Sequence, residues 1–262
     1  MVTAENPESV DGGLFPEWAS FAQALQRRRP DAGTWCAAWT VRDIVVHQTG
    51  NAEELGRVLA GHLTDERVPT RGFEEREAPY RNMNDADLWS ALCDRMAQLG
   101  SITAAAESEL GADTDVAWTG RTMKVCWFAE HMREELVLHR WDITGDDAVA
   151  QEQLGQQWMT DHSVRAVGRP LLRRGYSALG LRSDERIDSR LRVGGRDDVV
   201  VGATADETTI SLAPPEGPAT IETDAAARVL LLWGRRPADP SRIRSNAGPV
   251  ALGRLRTLLS GY

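Results

Sequence analysis

The chain has 262 residues, 42% of them hydrophobic, with a formal net charge of −9 and a pI of about 5.1. That length and composition can bury a substantial core in one large or two modest domains, and the acidic balance excludes nucleic acid and anionic membrane as partners. No run approaches the ~18 apolar residues of a membrane span, and residues 1–13 are polar and acidic with no apolar signal core, so the expected setting is cytoplasmic.

The first helix is expected over Phe15 to Arg29, where Phe15, Trp18, Phe21, Ala22 and Leu25 recur at helical spacing and Pro16 suits the first helical position. Pro30-Asp31-Ala32-Gly33 ends it. Thr40 then reads as an N-cap, with Asp43 as the acidic half of a capping box. The helix it opens runs to about His62 on a stripe of Val41, Ile44, Val45, Leu55, Val58 and Leu59. Thr64 to Asn84 is polar and carries Pro69, Gly72 and Pro79, and so predicts a long connection, a kind that often serves a nearby site. A third helix is predicted over Asp85 to Leu110, a second connection over Gly111 to Gly120, and a fourth helix over about Thr122 to Ile143. A fifth, Glu152 to Leu179, should kink or restart at Pro170.

After Gly180 the period shortens to two. Leu191–Val193, Val199–Val201 and Thr208–Leu212 are β-like runs between turn-forming residues, with Thr220–Thr223 as a further candidate. Asp224 should cap a short helix over Ala225 to Trp233, and Val250 to Leu259 reads as a terminal helix. The organisation is therefore an all-helical part of roughly 180 residues, with no sheet expected before residue 150, followed by a small α/β part.

Lys124 is the single lysine among 30 basic residues, an arginine bias expected of a GC-rich genome such as an actinobacterium's. Cys36, Cys93 and Cys126 form no Cys-x-x-Cys pair, and their odd number argues against a disulfide framework.

The chemistry concentrates at Glu135 and His139, four residues apart and therefore on one helical face, with His47 far upstream on the second helix. A carboxylate and two imidazoles can share one divalent metal, and three protein ligands leave positions open, the pattern of a catalytic metal. Four amphipathic helices in succession suggest an antiparallel bundle, a fold that builds metal sites from facing helices. Spacing leaves two alternatives open: a buried histidine beside a surface Glu–His pair, and His131, on the same face, as a competing ligand.

Trp39-Thr40-Val41-Arg42-Asp43-x-x-x-His47 and Glu135-x-x-x-His139-Arg140-Trp141-Asp142 resemble the two signature segments of the mycothiol-dependent maleylpyruvate isomerase family, part of the wider DinB-like metal-dependent bundles. Leu230-Leu231-Leu232-Trp233-Gly234-Arg235-Arg236-Pro237 resembles the family's second, sterol-carrier-like domain, so the resemblance spans nearly the whole chain. It implies an α+β chain: a DinB-like four-helix, metal-binding bundle over residues 1–180 and a small α/β sterol-carrier-like domain over 181–262. It implies His47, Glu135 and His139 as ligands, usually of zinc. Arg235 or Arg236 matches a basic residue that reaches toward the substrate, a task suited to arginine's planar fork. Trp39 and Asp142 become candidates for supporting the ligands or touching the substrate, Asp142 either as acceptor for a ligand histidine's other nitrogen or as a backbone cap. The chain departs from the family's usual Cys-Pro-Gly-Trp-Thr lead-in, having Cys36-Ala37-Ala38-Trp39-Thr40 instead, which leaves loop shape and substrate identity open.

The resemblance also implies a mechanism. A thiol of pKa near ~8.5 is mostly protonated at neutral pH, and a coordinating divalent metal favours its thiolate. Mycothiol bound in this way would attack a small electrophile. The resulting expectation is a metal-dependent, mycothiol-using S-transferase or thiol-exchange enzyme acting through a metal-bound thiolate. The alternatives are a mycothiol-dependent maleylpyruvate isomerase, a non-catalytic metal-binding protein, or a hydrolase with bound water as nucleophile. Partners are then a small thiol and a small electrophile, with no nucleic acid and no membrane, and with the oligomeric state open.

Overall fold

A computed structural model of the chain describes residues 10–118 and 121–260, with backbone alone for 166–171. The chain forms two compact units, residues 1–144 and 145–262.

In the first unit, α1 (Trp18–Gln26) is followed by α2 (Val41–Leu63), α3 (Phe73–Arg81), α4 (Asp85–Leu110), β1 (Asp115–Trp118), β2 (Arg121–Lys124) and α5 (Cys126–Thr144). Four helices make the bundle: α2 packs along α4, and α1 on α5. Trp18 stacks on Trp89 at 6.0 Å and ties α1 to α4. The shared core holds Phe15, Phe21, Ile44, Leu55, Leu59, Met96, Leu99, Phe128 and Leu136. Burying each such side chain contributes roughly 1.5–3 kcal/mol. α2 begins as its sequence dictates: the Thr40 hydroxyl accepts from Asp43 N, and the Asp43 carboxylate accepts from Thr40 N at 2.8 Å.

Three expectations about the first unit need correction. α1 starts at Trp18, because Pro16 sits in a turn before the helix. The connection expected over 64–84 contains α3, with Pro79 inside it. This helix has little amphipathic character of its own, and packing on α2 holds it in place. α2 admits that approach at Gly50, where an added Cβ would stand 2.8 Å from the Arg76 carbonyl oxygen. The connection expected over 111–120 contributes β1 to a two-stranded hairpin, against the expectation of no sheet before residue 150. Its strand alternates, with Val116 and Trp118 buried and Asp115 and Ala117 exposed. Thr119 and Gly120, at the end of that expected connection, lie outside the described residues, as do residues 1–9 of the N-terminal stretch.

The second unit opens with helices. The single fifth helix expected over 152–179 is instead α6 (Ala148–Leu154), α7 (Gln157–His162), a π-helical turn (Ser163–Val167) and α8 (Gly168–Leu179). Asp147 caps α6 by accepting from Ala150 N at 2.7 Å, and Gly155 and an extended Gln156 separate α6 from α7. The restart falls at Gly168, just before Pro170. Next come β3 (Ile187–Val193), β4 (Asp198–Ala203), β5 (Thr208–Ala213), β6 (Ile221–Thr223), α9 (Ala225–Leu232), β7 (Ile243–Ser245) and α10 (Pro249–Leu259). The sheet order is β5-β4-β3-β6-β7, with β3 and β6 parallel and the other pairs antiparallel. α8 and α10 pack together and against the sheet, and α6 and α7 pack on α9. The compact units therefore divide after Thr144, not at about 180: the helices of 148–179 lack a bundle partner of their own kind and bury their apolar faces on the sheet unit. Among the described residues no helix is long and apolar enough to cross a membrane.

Candidate metal centre

α2 and α5 pack against each other inside the bundle and bring together the three residues singled out above. Glu135 Oε2 lies 3.4 Å from His47 Nε2 and 3.2 Å from His139 Nε2, and one donor atom from each of the three falls within 4.8 Å of the others. All three side chains are buried. Burial pushes the Glu135 carboxyl up, but His139 and His47 beside it outweigh that effect and hold it well below the usual carboxylate range. Burial likewise lowers the His139 pKa, and Asp142 with Glu135 more than reverses this, leaving it raised.

The outer nitrogens decide which way the rings face. His47 Nδ1 is hydrogen-bonded to Glu77 Oε1 at 2.9 Å, and Glu77 Oε2 accepts from Arg81 Nη2 at 2.9 Å. Asp142 Oδ2 stands 2.8 Å from His139 Nδ1, but off the line of a good hydrogen bond, as its position three residues along the same helix dictates. Carboxylates on both Nδ1 atoms leave both Nε2 atoms turned to Glu135, the tautomer a metal-binding imidazole needs. Two nitrogens and one carboxylate in a buried pocket fit a divalent ion that keeps open positions.

Trp39 reaches this pocket from the turn before α2, where Trp39 N donates to Cys36 O at 2.9 Å. Its ring stacks on His139 at 5.5 Å and 13°, and tilts against His47 at 4.8 Å. His131 touches the other Glu135 oxygen, Nε2 to Oε1 at 3.5 Å, and stands outside the trio. Arg235 and Arg236 follow α9 on the second unit, after Gly234 at φ 71. Arg235 is half-buried with Nη1 donating to Trp233 O at 3.3 Å, and Arg236 is exposed.

Sequence reasoning missed Glu77, Phe73 and Arg76, all on α3. Phe73 packs on His47 with ring centres 5.5 Å apart. Arg76 is 5% exposed, and its Cζ lies 4.2 Å over the Phe73 ring. The only available signals were the length of the connection and Gly50, three residues after His47 on the second helix.

A family profile described as "Mycothiol maleylpyruvate isomerase N-terminal domain" matches residues 14–144, ending where the first unit ends. Two crystal structures of a mycothiol-dependent maleylpyruvate isomerase, one of them a histidine-to-alanine variant, share the fold. They are 16% and 15% identical to this chain at a TM-score of 0.58, over 89% of this chain and 90% of theirs. No curated protein matches.

Proposed function

The chain belongs to the mycothiol maleylpyruvate isomerase N-terminal domain family, and on that premise we propose that it is a metal-dependent, mycothiol-using enzyme, an S-transferase or thiol-exchange enzyme acting on a small electrophile. The observation that carries this reading is the convergence of His47 Nε2, Glu135 Oε2 and His139 Nε2, each imidazole having a carboxylate behind it. A divalent ion held by these three residues, zinc by the softness of a sulfur partner, supplies a Lewis acid that favours thiolate over thiol.

The protein's own residues do the rest. Glu77 and Asp142 hold the two imidazoles in orientation, and the Glu135 charge balances part of the ion's. Trp39 covers His139 and keeps water from that side of the pocket. Arg235 and Arg236 enter the proposal as the family's substrate anchors, gripping an anionic group of the electrophile. A cytoplasmic setting belongs to the same reading.

The second reading is isomerisation, favoured by the name of the family itself. Both share thiol addition to an electrophilic carbon. A transferase releases the adduct, whereas an isomerase lets it rotate and expels the thiol. Zinc-loaded protein incubated with mycothiol and a panel of electrophiles separates them: an accumulating adduct with thiol consumed supports the transferase, and a geometric isomer with thiol unconsumed supports the isomerase. Turnover without any thiol would overturn both and indicate a hydrolase.

A further inference from the structure

α10 opens without a side-chain cap. Its N-cap residue is Gly248, and its first helical residue is Pro249, which has no N–H. The first hydrogen bond of the helix runs from Leu252 N to Gly248 O at 3.1 Å, and the N–H groups of Gly248, Val250 and Ala251 have no partner among the described residues. These three residues line a groove of about 630 Å³ within the second unit, at the end of the sheet where β3 begins and β7 leads into α10. A Cβ added at Gly248 would meet nothing within 4 Å, so the space before the helix is open. The helix macrodipole places roughly half a positive charge there.

A second observation inside the groove points to a ligand. Ser189 lies on the helix-covered face of β3 with Ile187 and Leu191 and is only 5% exposed. It lines the groove, and its hydroxyl has no hydrogen-bond partner among the described residues, whereas buried hydroxyls ordinarily find one. Arg254 and Arg186 stand at the mouth. Arg254 Nη2 is 3.2 Å from Glu185 Oε1, and Arg186 Nε is 3.4 Å from Asp188 Oδ2, a carboxylate that also lines the groove. These side-chain charges balance in pairs, so the end of the helix is the groove's uncompensated charge. Helix N-terminal N–H groups, a hydroxyl and a guanidinium together make the donor set of a phosphate site. Ile187, Pro218 and the 76% exposed Val250 add an apolar flank.

We propose that the groove at the α10 N-terminus is a phosphoryl-group site. Gly248, Val250 and Ala251 donate their N–H groups, and Ser189 its hydroxyl, to the oxygens of one tetrahedral oxyanion, with Arg254 beside it. That oxyanion is free phosphate or the phosphoryl group of a small organic ester whose apolar part lies along Ile187 and Val250. The site belongs to the second unit alone and is independent of the metal-and-thiol reading.

The test titrates inorganic phosphate and phenyl phosphate into the full-length protein at constant ionic strength, followed by calorimetry and by amide NMR of valine-labelled protein. The Val250 amide, assigned by its loss in Val250→Leu at this exposed position, should shift with both ligands. Tighter binding of phenyl phosphate assigns the site to an organic ester, and equal affinities assign it to free phosphate. Gly248→Asp is the informative variant. The backbone there is extended, at φ −67 and ψ 164, and the space is open, so the aspartate fits and caps the helix. Its carboxylate then takes the donors and repels the anion. Phosphate affinity should fall by roughly tenfold or more, while the melting temperature stays level or rises. Ser189→Ala removes a hydroxyl that nothing in the fold uses, and should weaken phosphate by roughly three- to tenfold without loss of stability. A hydroxyl that is merely buried would leave the affinity unchanged. An unchanged phosphate affinity in either variant, a stationary Val250 amide, or no binding of either ligand to the wild type overturns the proposal.

Discussion

Removing Glu77 tests whether a helix that sequence patterning misses controls the metal. Glu77 and His47 are 7% and 4% exposed, and His47 Nδ1 and Glu77 Oε1 are in direct contact at 2.9 Å. In Glu77→Ala the Nδ1–H becomes a buried orphan, at a cost of about 1–3 kcal/mol. The metal-free protein escapes by moving the proton to Nε2, where Glu135 Oε2 at 3.4 Å can accept it. That is the nitrogen a metal needs, so binding must reverse the shift, and zinc affinity should fall roughly 10- to 100-fold. Glu77→Gln keeps an acceptor oxygen and loses the charge. The difference between a charge-assisted and a neutral hydrogen bond, about 1 kcal/mol, predicts a loss of about fivefold. Zinc competition against a chromophoric chelator measures both variants, and melting of the metal-free proteins controls for folding. A zinc affinity for Glu77→Ala within about twofold of wild type would refute the reasoning, since an imidazole held only by packing would need no acceptor.

Three further outcomes are expected. His47→Ala and His139→Ala should abolish zinc binding and thiol-dependent turnover, whereas Glu135→Gln should fold and lose most of its zinc affinity; chelator titration and melting curves check both parts. Gly50→Ala would drive a methyl to within 2.8 Å of the Arg76 carbonyl, lift α3 and draw Glu77 away from His47, so zinc affinity should drop along with the melting temperature; a loss of stability with zinc affinity intact would contradict it. Glu54 is fully buried between Arg57 and Arg71; burial raises its pKa, but the hydrogen bonds from these two arginines outweigh that and leave it depressed. Its contribution to stability is therefore fully present above its ordinary value of 4.5 and is lost as pH falls through the lower folded value. The melting-temperature gap between wild type and Glu54→Gln should accordingly narrow on acidification below that value, and a gap that widened would reverse the sign.

Much of the bundle was legible because its signals are local. Thr40 and Asp43 cap α2 through backbone atoms three residues away. Asp85–Leu110 is helical to the residue, opened by the Asn84 side chain accepting from Ala86 N and Asp87 N. The strand β3 follows from alternation, and β4 and β5 from short runs of β-branched residues between turn residues a few positions away. The two halves of the candidate site were legible for the same reason, since Glu135 and His139 share a face by helical arithmetic alone.

Other features depend on contacts between residues distant in sequence. The segment Phe73–Arg81 is polar and carries a proline, so its own propensity argues against a helix, and only docking at Gly50 makes it one. Glu77 and Arg76 reach the pocket through that docking, and no spacing rule links residue 77 to residue 47. The helices of 148–179 read as a continuation of the bundle because their periodicity is the same, yet they bury their apolar faces on the sheet unit, a choice of partner that periodicity does not encode. The sequence by itself determined the helices with strong caps and stripes, the main strands, and the identity of three residues able to share a metal. Tertiary structure alone decided which way their imidazoles face, which cation lies beside them, and where one unit ends, because hydrogen-bond partners and burial are properties of the packed chain.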